Sequence, residues 1–202
     1  MVVALCVALA SCSSGPPPPD DATYLRELAE FRAARDLAFR EFDDPVPPDK
    51  RDRLLPLPYY PPDVRYSVPA VLQLAGQRPV VEMPTSTGTI RRMGHVGLLE
   101  FTLDGQRMSL GAFVPEGTQR IQELFVPFAD ATTGKETYSA GRYLDLHPTA
   151  TGIYTIDFNR AYNPNCAYNE GYECPYPPPA NRLKTAIRAG EKAPRGGKAR
   201  AS

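Results

Sequence analysis

Between Thr23 and Phe42 the apolar residues Tyr24, Leu28, Phe31, Ala34, Ala38 and Phe42 recur every three or four positions. Opposite charges stand four apart in Arg26/Glu30, Arg32/Asp36 and Asp36/Arg40, and together these spacings predict an amphipathic helix. Asp20 and Asp21 are placed to cap it, and Asp44 followed by Pro45 to stop it. The proline-dense stretch from Pro45 to Pro62 predicts an extended, irregular connection over the surface. Beyond it the period changes to two. Val68, Ala70, Leu72 and Leu74 alternate with small or polar residues, Gly76 allows a turn, and Val80 to Met83 opens the next strand. Asp104 and Gly105 both tolerate positive φ and predict a two-residue hairpin in which Leu99 faces Leu110 and Phe101 faces Met108. These four then share the buried face, with Glu100, Thr102, Arg107 and Ser109 on the other. Further strands are expected at Thr89 to Gly94, Gln122 to Phe128, Gly141 to Leu146, Gly152 to Asn159 and Leu183 to Ala189. The sum is a mainly β fold of eight or nine short, mostly antiparallel strands, as a partly open barrel or a sandwich, with one N-terminal amphipathic helix.

The start of the chain breaks this pattern. Met1 to Ala10 is an uncharged apolar run about half as long as a bilayer-spanning helix, and so matches the core of an export signal. It ends in Leu9-Ala10-Ser11-Cys12, which resembles the lipobox of bacterial lipoproteins. That resemblance implies acylation of Cys12, which becomes the first residue of the mature chain. Two or three acyl chains, at about 0.8 kcal/mol per buried methylene, anchor a domain stably. Ser13 to Pro19 suits a stiff tether, because polyproline is extended. No Lys or Arg precedes the run, so the true start is expected upstream of Met1. The expected division is therefore residues 1–11 as signal, 12–20 as lipidated cysteine and tether, 21–191 as a single domain, and 192–202 as a disordered basic tail.

Composition sharpens this. With 23 acidic and 23 basic residues the chain is neutral, which argues against a nucleic-acid partner. Lys192, Arg195, Lys198 and Arg200 fall in the tail without an acid, so the rest is mildly acidic. Of the four cysteines, Cys6 leaves with the signal and Cys12 carries lipid. Outside the cytoplasm the remaining pair, Cys166 and Cys174, is most simply a disulfide. Free thiols, or a metal site shared with His95 or His147, are the alternatives, although the spacing fits no zinc pattern.

Standard phosphate, dinucleotide, zinc-protease and serine-hydrolase motifs are absent. Polar residues concentrate instead between Asp130 and Asn163. If the strands around Asp145 and Asp157 paired as a hairpin across His147 to Thr151, the two carboxylates would share a face. With Arg142 and Lys135 nearby, they could then perform acid–base work. The plainer reading has these residues facing water. Seven of eleven tyrosines lie from Tyr138 onward. Tyr143, Tyr162 and Tyr168, with Asn159 and Asn163, could meet a sugar or an aromatic ligand, or could simply pack against the C-terminal prolines.

Long motifs carry a family resemblance. Pro84-Thr-Ser-Thr-Gly88, Leu124-Phe-Val-Pro-Phe128 with Asp130-Ala-Thr-Thr-Gly134, Gly141-Arg-Tyr-Leu-Asp-Leu146, Asp157-Phe-Asn-Arg-Ala-Tyr162, Pro177-Pro-Pro179 with Asn181-Arg-Leu183, and Ile187-Arg-Ala-Gly-Glu191 resemble the bacterial and archaeal family called domain of unknown function 1684. The resemblance implies that the C-terminal stretch is a family hallmark and that Cys166 and Cys174 belong to it. It brings no catalytic residue. The expected protein is a lipoprotein of the cell envelope, held by acylated Cys12 on the outer face of the cytoplasmic membrane or in the outer membrane, and binding a small ligand or envelope component. A hydrolase using Asp145, Asp157 and Arg142 and a purely structural envelope protein are the alternatives. No cofactor and no metal are expected.

Overall fold

The computed structural model describes residues 20–42 and 45–196. The expected signal, Cys12, the tether up to Pro19, Asp44 and the tail from residue 197 lie outside the described residues.

Helix α1 spans Asp21–Glu41, and the Asp20 carboxylate accepts from the Thr23 N–H at 2.7 Å as its N-cap. Its inward stripe differs from the one expected. Leu28 and Phe39 are buried, but Ala34 and Phe42 are exposed, and Arg32 and Arg35 turn toward the domain instead. Long arginine stems can cover apolar surface while their heads find acceptors, which a reading of apolar residues alone misses. The proline-rich connection is more ordered than expected. It contains a turn of 3-10 helix at Pro48–Lys50 and the short helix α2, Arg51–Leu54. Val46, Leu54, Leu55 and Leu57 form a separate small core with Phe39 and Tyr168.

Seven antiparallel strands then form one curled sheet: β1 (Ser67–Leu74), β2 (Val80–Pro84), β3 (Ile90–Leu103), β4 (Gln106–Pro115), β5 (Leu124–Phe128), β6 (Arg142–Leu146) and β7 (Ile153–Asp157). Their order is β6-β5-β4-β3-β1-β7, with β2 also paired to β3. The partly open barrel is the architecture found, as a half-barrel. The strand count is lower than expected for two reasons. The segments around Thr89 and Phe101 belong to one strand, β3, whose register slips between His95 and Gly97 so that β2 pairs with its first half and β1 with its second. Gly97 is required at this crossing, since a Cβ there would lie 2.1 Å from the Gln73 carbonyl oxygen. Leu183 to Ala189 forms no strand, because much of its backbone bonding is taken by side chains, described below.

The β3–β4 hairpin has the expected register, with Leu99 opposite Leu110 and Phe101 opposite Met108. Asp104 and Gly105 at its tip have φ of 48° and 76°, as a primed turn demands. The expected hairpin between β6 and β7 does not form. β7 pairs with β1 and β6 with β5, so the two strands are the ends of the curled sheet and border an open seam.

Alternate residues separate two faces. Leu99, Leu110, Val126, Phe128, Leu144 and Ile156 fill the concave side together with Phe158 and Ile187 from the irregular segments. Complete burial of a side chain such as Phe128 stabilises by roughly 1.5–3 kcal/mol. Between β4 and β5 the ladder has a single residue pair, Phe113 opposite Phe125. The buried Asn181 side chain fills the gap. Its Oδ1 accepts from Gly111 N–H at 2.7 Å, and its Nδ2 donates to the Gly111 and Pro127 carbonyls at 2.9 and 2.7 Å.

Candidate functional site

The convex face of β3 to β6 carries a second apolar row. Met93, Phe113, Phe125 and Tyr143 point away from the main core because they alternate with Val114, Leu124, Val126 and Leu144, which point into it. The Phe125 and Tyr143 ring centroids are 4.7 Å apart and nearly perpendicular, and Tyr162 stands edge-on to Tyr143 at 5.8 Å. The segment from Tyr162 to Tyr176 covers part of this row. It is fastened by Tyr143 Oη donating to Pro175 O at 2.6 Å, by the Ser86 hydroxyl donating to Tyr172 O at 2.8 Å, and by Tyr176 N–H donating to Pro84 O at 2.8 Å. What stays uncovered is a cleft of about 750 Å³.

Charged groups of both signs ring the cleft: Arg91, Arg92 and Arg120 against Glu116, Glu123, Asp145 and Glu173. Arg91 pairs with Glu173 at 2.8 Å, and Arg92 with Glu116 at 2.6 Å and Glu82 at 2.9 Å. The Thr89 hydroxyl, and then Arg91, hold the Glu173 carboxyl below its ordinary pKa. Asp145 behaves oppositely. Its side chain reaches solvent, yet the protein packed around it raises its pKa, Glu123 adds to the rise, and a 2.5 Å hydrogen bond from Tyr162 Oη opposes it. Arg120 has no ion pair among the described residues.

The residues singled out in the sequence divide between this cleft and the framework. Tyr143, Tyr162 and Asp145 line the cleft. Asp157 does not. It caps a 3-10 turn through Asn159 N–H at 3.0 Å and takes further hydrogen bonds from Tyr24 Oη and Arg160. Asp145 and Asp157 both border the seam between β6 and β7, but each has its own hydrogen-bond partners. Arg142 is buried inside the half-barrel. It pairs with Asp130 at 2.8 Å and donates to the carbonyls of Ile187, Ala189 and Glu191, which is why that segment forms no strand. Lys135 is exposed on a turn and lines neither the cleft nor the seam.

Asn159 pairs by its amide with both backbone groups of Asp63, at 3.1 and 2.8 Å. Asn163 and Tyr168 belong to a buried network around Glu191, which accepts from Asn163 N–H and Tyr168 Oη, both at 2.7 Å, and from Arg35 Nε at 2.5 Å. Lys192 and Ala193, expected in the tail, are bonded into the fold through Pro58 and Glu136.

Cys166 and Cys174 are free, buried thiols rather than the expected disulfide. They are held side by side as hydrogen-bond partners, with Cys166 N–H donating to Cys174 Sγ at 3.1 Å. Among the described residues no group of three or more metal-ligating side chains exists, and His95 packs its ring against Phe113 at 5.2 Å. The sequence reading missed Phe113, Phe125 and the arginine–glutamate rim. A signal was there in Leu124-Phe-Val-Pro-Phe128, since a strand without polar alternation is covered on both faces.

Among the described residues no helix is long and apolar enough to cross a membrane. Comparison with curated proteins returns no match. The chain is similar to an uncharacterized protein of Haloarcula marismortui, known from a solution NMR structure, with 38% identity and a TM-score of 0.67 over 86% of this chain and 96% of that one. Residues 53–192 match the family described as Protein of unknown function (DUF1684). The matched span includes the cleft wall, the Asn181 plug and the Arg142 clamp, and the chain belongs to the DUF1684 family.

Proposed function

We propose that this protein is a lipid-anchored binding module of the cell envelope, whose convex cleft takes a small, uncharged, polyhydroxylated ligand such as a saccharide. The observation that carries this reading is the cleft's combination of an aromatic floor, in which Phe125 and Tyr162 are part-exposed and Phe113 and Tyr143 buried beside them, with a mixed rim of three arginines and four carboxylates. Aromatic rings offer flat apolar surface to the C–H faces of a sugar, while guanidinium and carboxylate groups donate to and accept from its hydroxyls. A rim this close to electrical balance gives little advantage to a strongly charged ligand. Asp145 enters the cleft while Asp157 and Arg142 are committed to the framework, which favours binding over hydrolysis. The lipobox-like Leu9 to Cys12 supports the anchor.

A thermal-shift screen with neutral saccharides, organic anions and apolar compounds tests the reading. Stabilisation by a saccharide that Phe125→Ala abolishes is the expected result. Stabilisation only by anions or only by apolar compounds contradicts it.

A further inference from the structure

Ligand binding leaves the paired thiols unused, yet their placement is specific. Cys174 forms part of the cleft wall, whereas Cys166 lies behind it, packed against Tyr138 and Tyr143. The backbones of both are pinned. Cys174 N–H donates to Ser86 Oγ at 3.0 Å and Ser86 N–H returns a bond to Cys174 O at 2.9 Å, while Tyr138 Oη donates to Cys166 O at 3.3 Å. Cys174 Sγ already lies against the Cys166 backbone N–H, so the Cys166 side chain has to swing toward it for the two sulfurs to join.

We propose that Cys174 and Cys166 form a thiol–disulfide exchange centre opening on the cleft, in which Cys174 reacts first with a small disulfide and Cys166 resolves the product. The pair gives up one thiol proton to solvent and the Cys174 thiolate attacks one sulfur of R–S–S–R, forming Cys174–S–S–R and releasing R–S⁻, which takes up a proton from solvent. Cys166 then attacks the Cys174 sulfur, the second R–S⁻ leaves, and the Cys166 proton goes to it. The protein dithiol is oxidised by two electrons to one disulfide, and R–S–S–R is reduced to two R–SH.

The two thiols shift each other's ionisation. Neighbouring Cys174 draws Cys166 down to about 7 and Cys166 in turn holds Cys174 up, so the remaining proton of the pair rests on Cys174 and moves to Cys166 before Cys174 attacks. When the shared proton sits on Cys166, the thiolate at Cys174 keeps the Cys166 N–H as a donor and faces the cleft. This centre is independent of the saccharide reading, because it requires only that the cleft admit a small disulfide.

The test uses the full chain with Cys6 and Cys12 replaced by serine, incubated reduced with glutathione disulfide, quenched in acid and followed by intact mass and peptide mapping. The parent should lose two hydrogens and join Cys166 to Cys174. Cys166→Ser should stop at one glutathione on Cys174, and Cys174→Ser should stay unmodified over the same time. An unreacted parent, a parent that stops at a glutathione adduct, or equal capture in the two variants would overturn the proposal. Iodoacetamide mapping of the parent serves should a serine variant fail to fold. Cys174 labelled before Cys166 supports the assignment, and the reverse order refutes it.

Discussion

Arg35 Nε donates to Glu191 Oε1 at 2.5 Å, tying the N-terminal helix to the far end of the domain 156 residues later. Glu191 is wholly buried and also accepts from Tyr168 Oη and Asn163 N–H. Glu191→Ala strands a largely buried guanidinium and two further donors, and the expected loss is about 3–5 kcal/mol. Urea unfolding measures it. A loss below about 1 kcal/mol, the range of an exposed ion pair, would show that the network does not join the helix to the domain.

Arg142 is a framework residue, and its fork geometry matters as much as its charge. It bonds Asp130 and three backbone carbonyls of the 187–191 segment at once. Lysine keeps the charge but cannot reach these acceptors together. Arg142→Lys should therefore lower the unfolding free energy by about 2 kcal/mol or more, the cost of leaving buried acceptors unpaired. Thermal unfolding by circular dichroism decides the point, and a melting temperature equal to wild type contradicts it.

The carboxyl of Asp145 should titrate above an ordinary aspartate, because the protein packed around it outweighs the hydrogen bond from Tyr162. A native pKa raised above the unfolded value means that the group favours the fold at low pH. That contribution is complete below the unfolded pKa and disappears as pH rises through the native one. Tyr162→Phe removes the group that holds the pKa down, so the value should rise further. Carbon-13 NMR of the side-chain carboxyl against pH reads both; a downward move in Tyr162→Phe is the opposing result.

Acylation of Cys12 is tested by palmitate labelling of cells expressing the wild type and Cys12→Ala. Label on the wild type alone is expected. Equal label on both would remove the anchor from the account.

Much of the sheet was legible because it rests on local chemistry. Asp104 and Gly105 specify their turn, and the alternation around Phe101 specifies the register. Long-range choices were not legible. Nothing between Leu146 and Ile153 indicates that β7 should join β1 rather than close a hairpin on β6, since a six-residue connection serves either. The burial of Arg142, expected beside two carboxylates or facing water, and of Glu191 was not legible because their compensation is distributed: the first over three carbonyls and Asp130, the second over Arg35, Tyr168 and a backbone N–H. The cleft was half visible. Tyr143 and Tyr162 follow from the tyrosine-rich C-terminal stretch, but Phe113 and Phe125 come from two other strands that only the sheet order brings together.

The central claim is that the aromatic floor of the convex cleft receives a saccharide. Its most direct test is a titration of isotope-labelled protein with neutral oligosaccharides, followed by amide and aromatic NMR shifts. The account predicts saturable shifts concentrated at Phe113, Phe125, Tyr143 and Tyr162, absent in Phe125→Ala. Saccharide-induced shifts confined to the seam between β6 and β7, or none with any oligosaccharide, would contradict it.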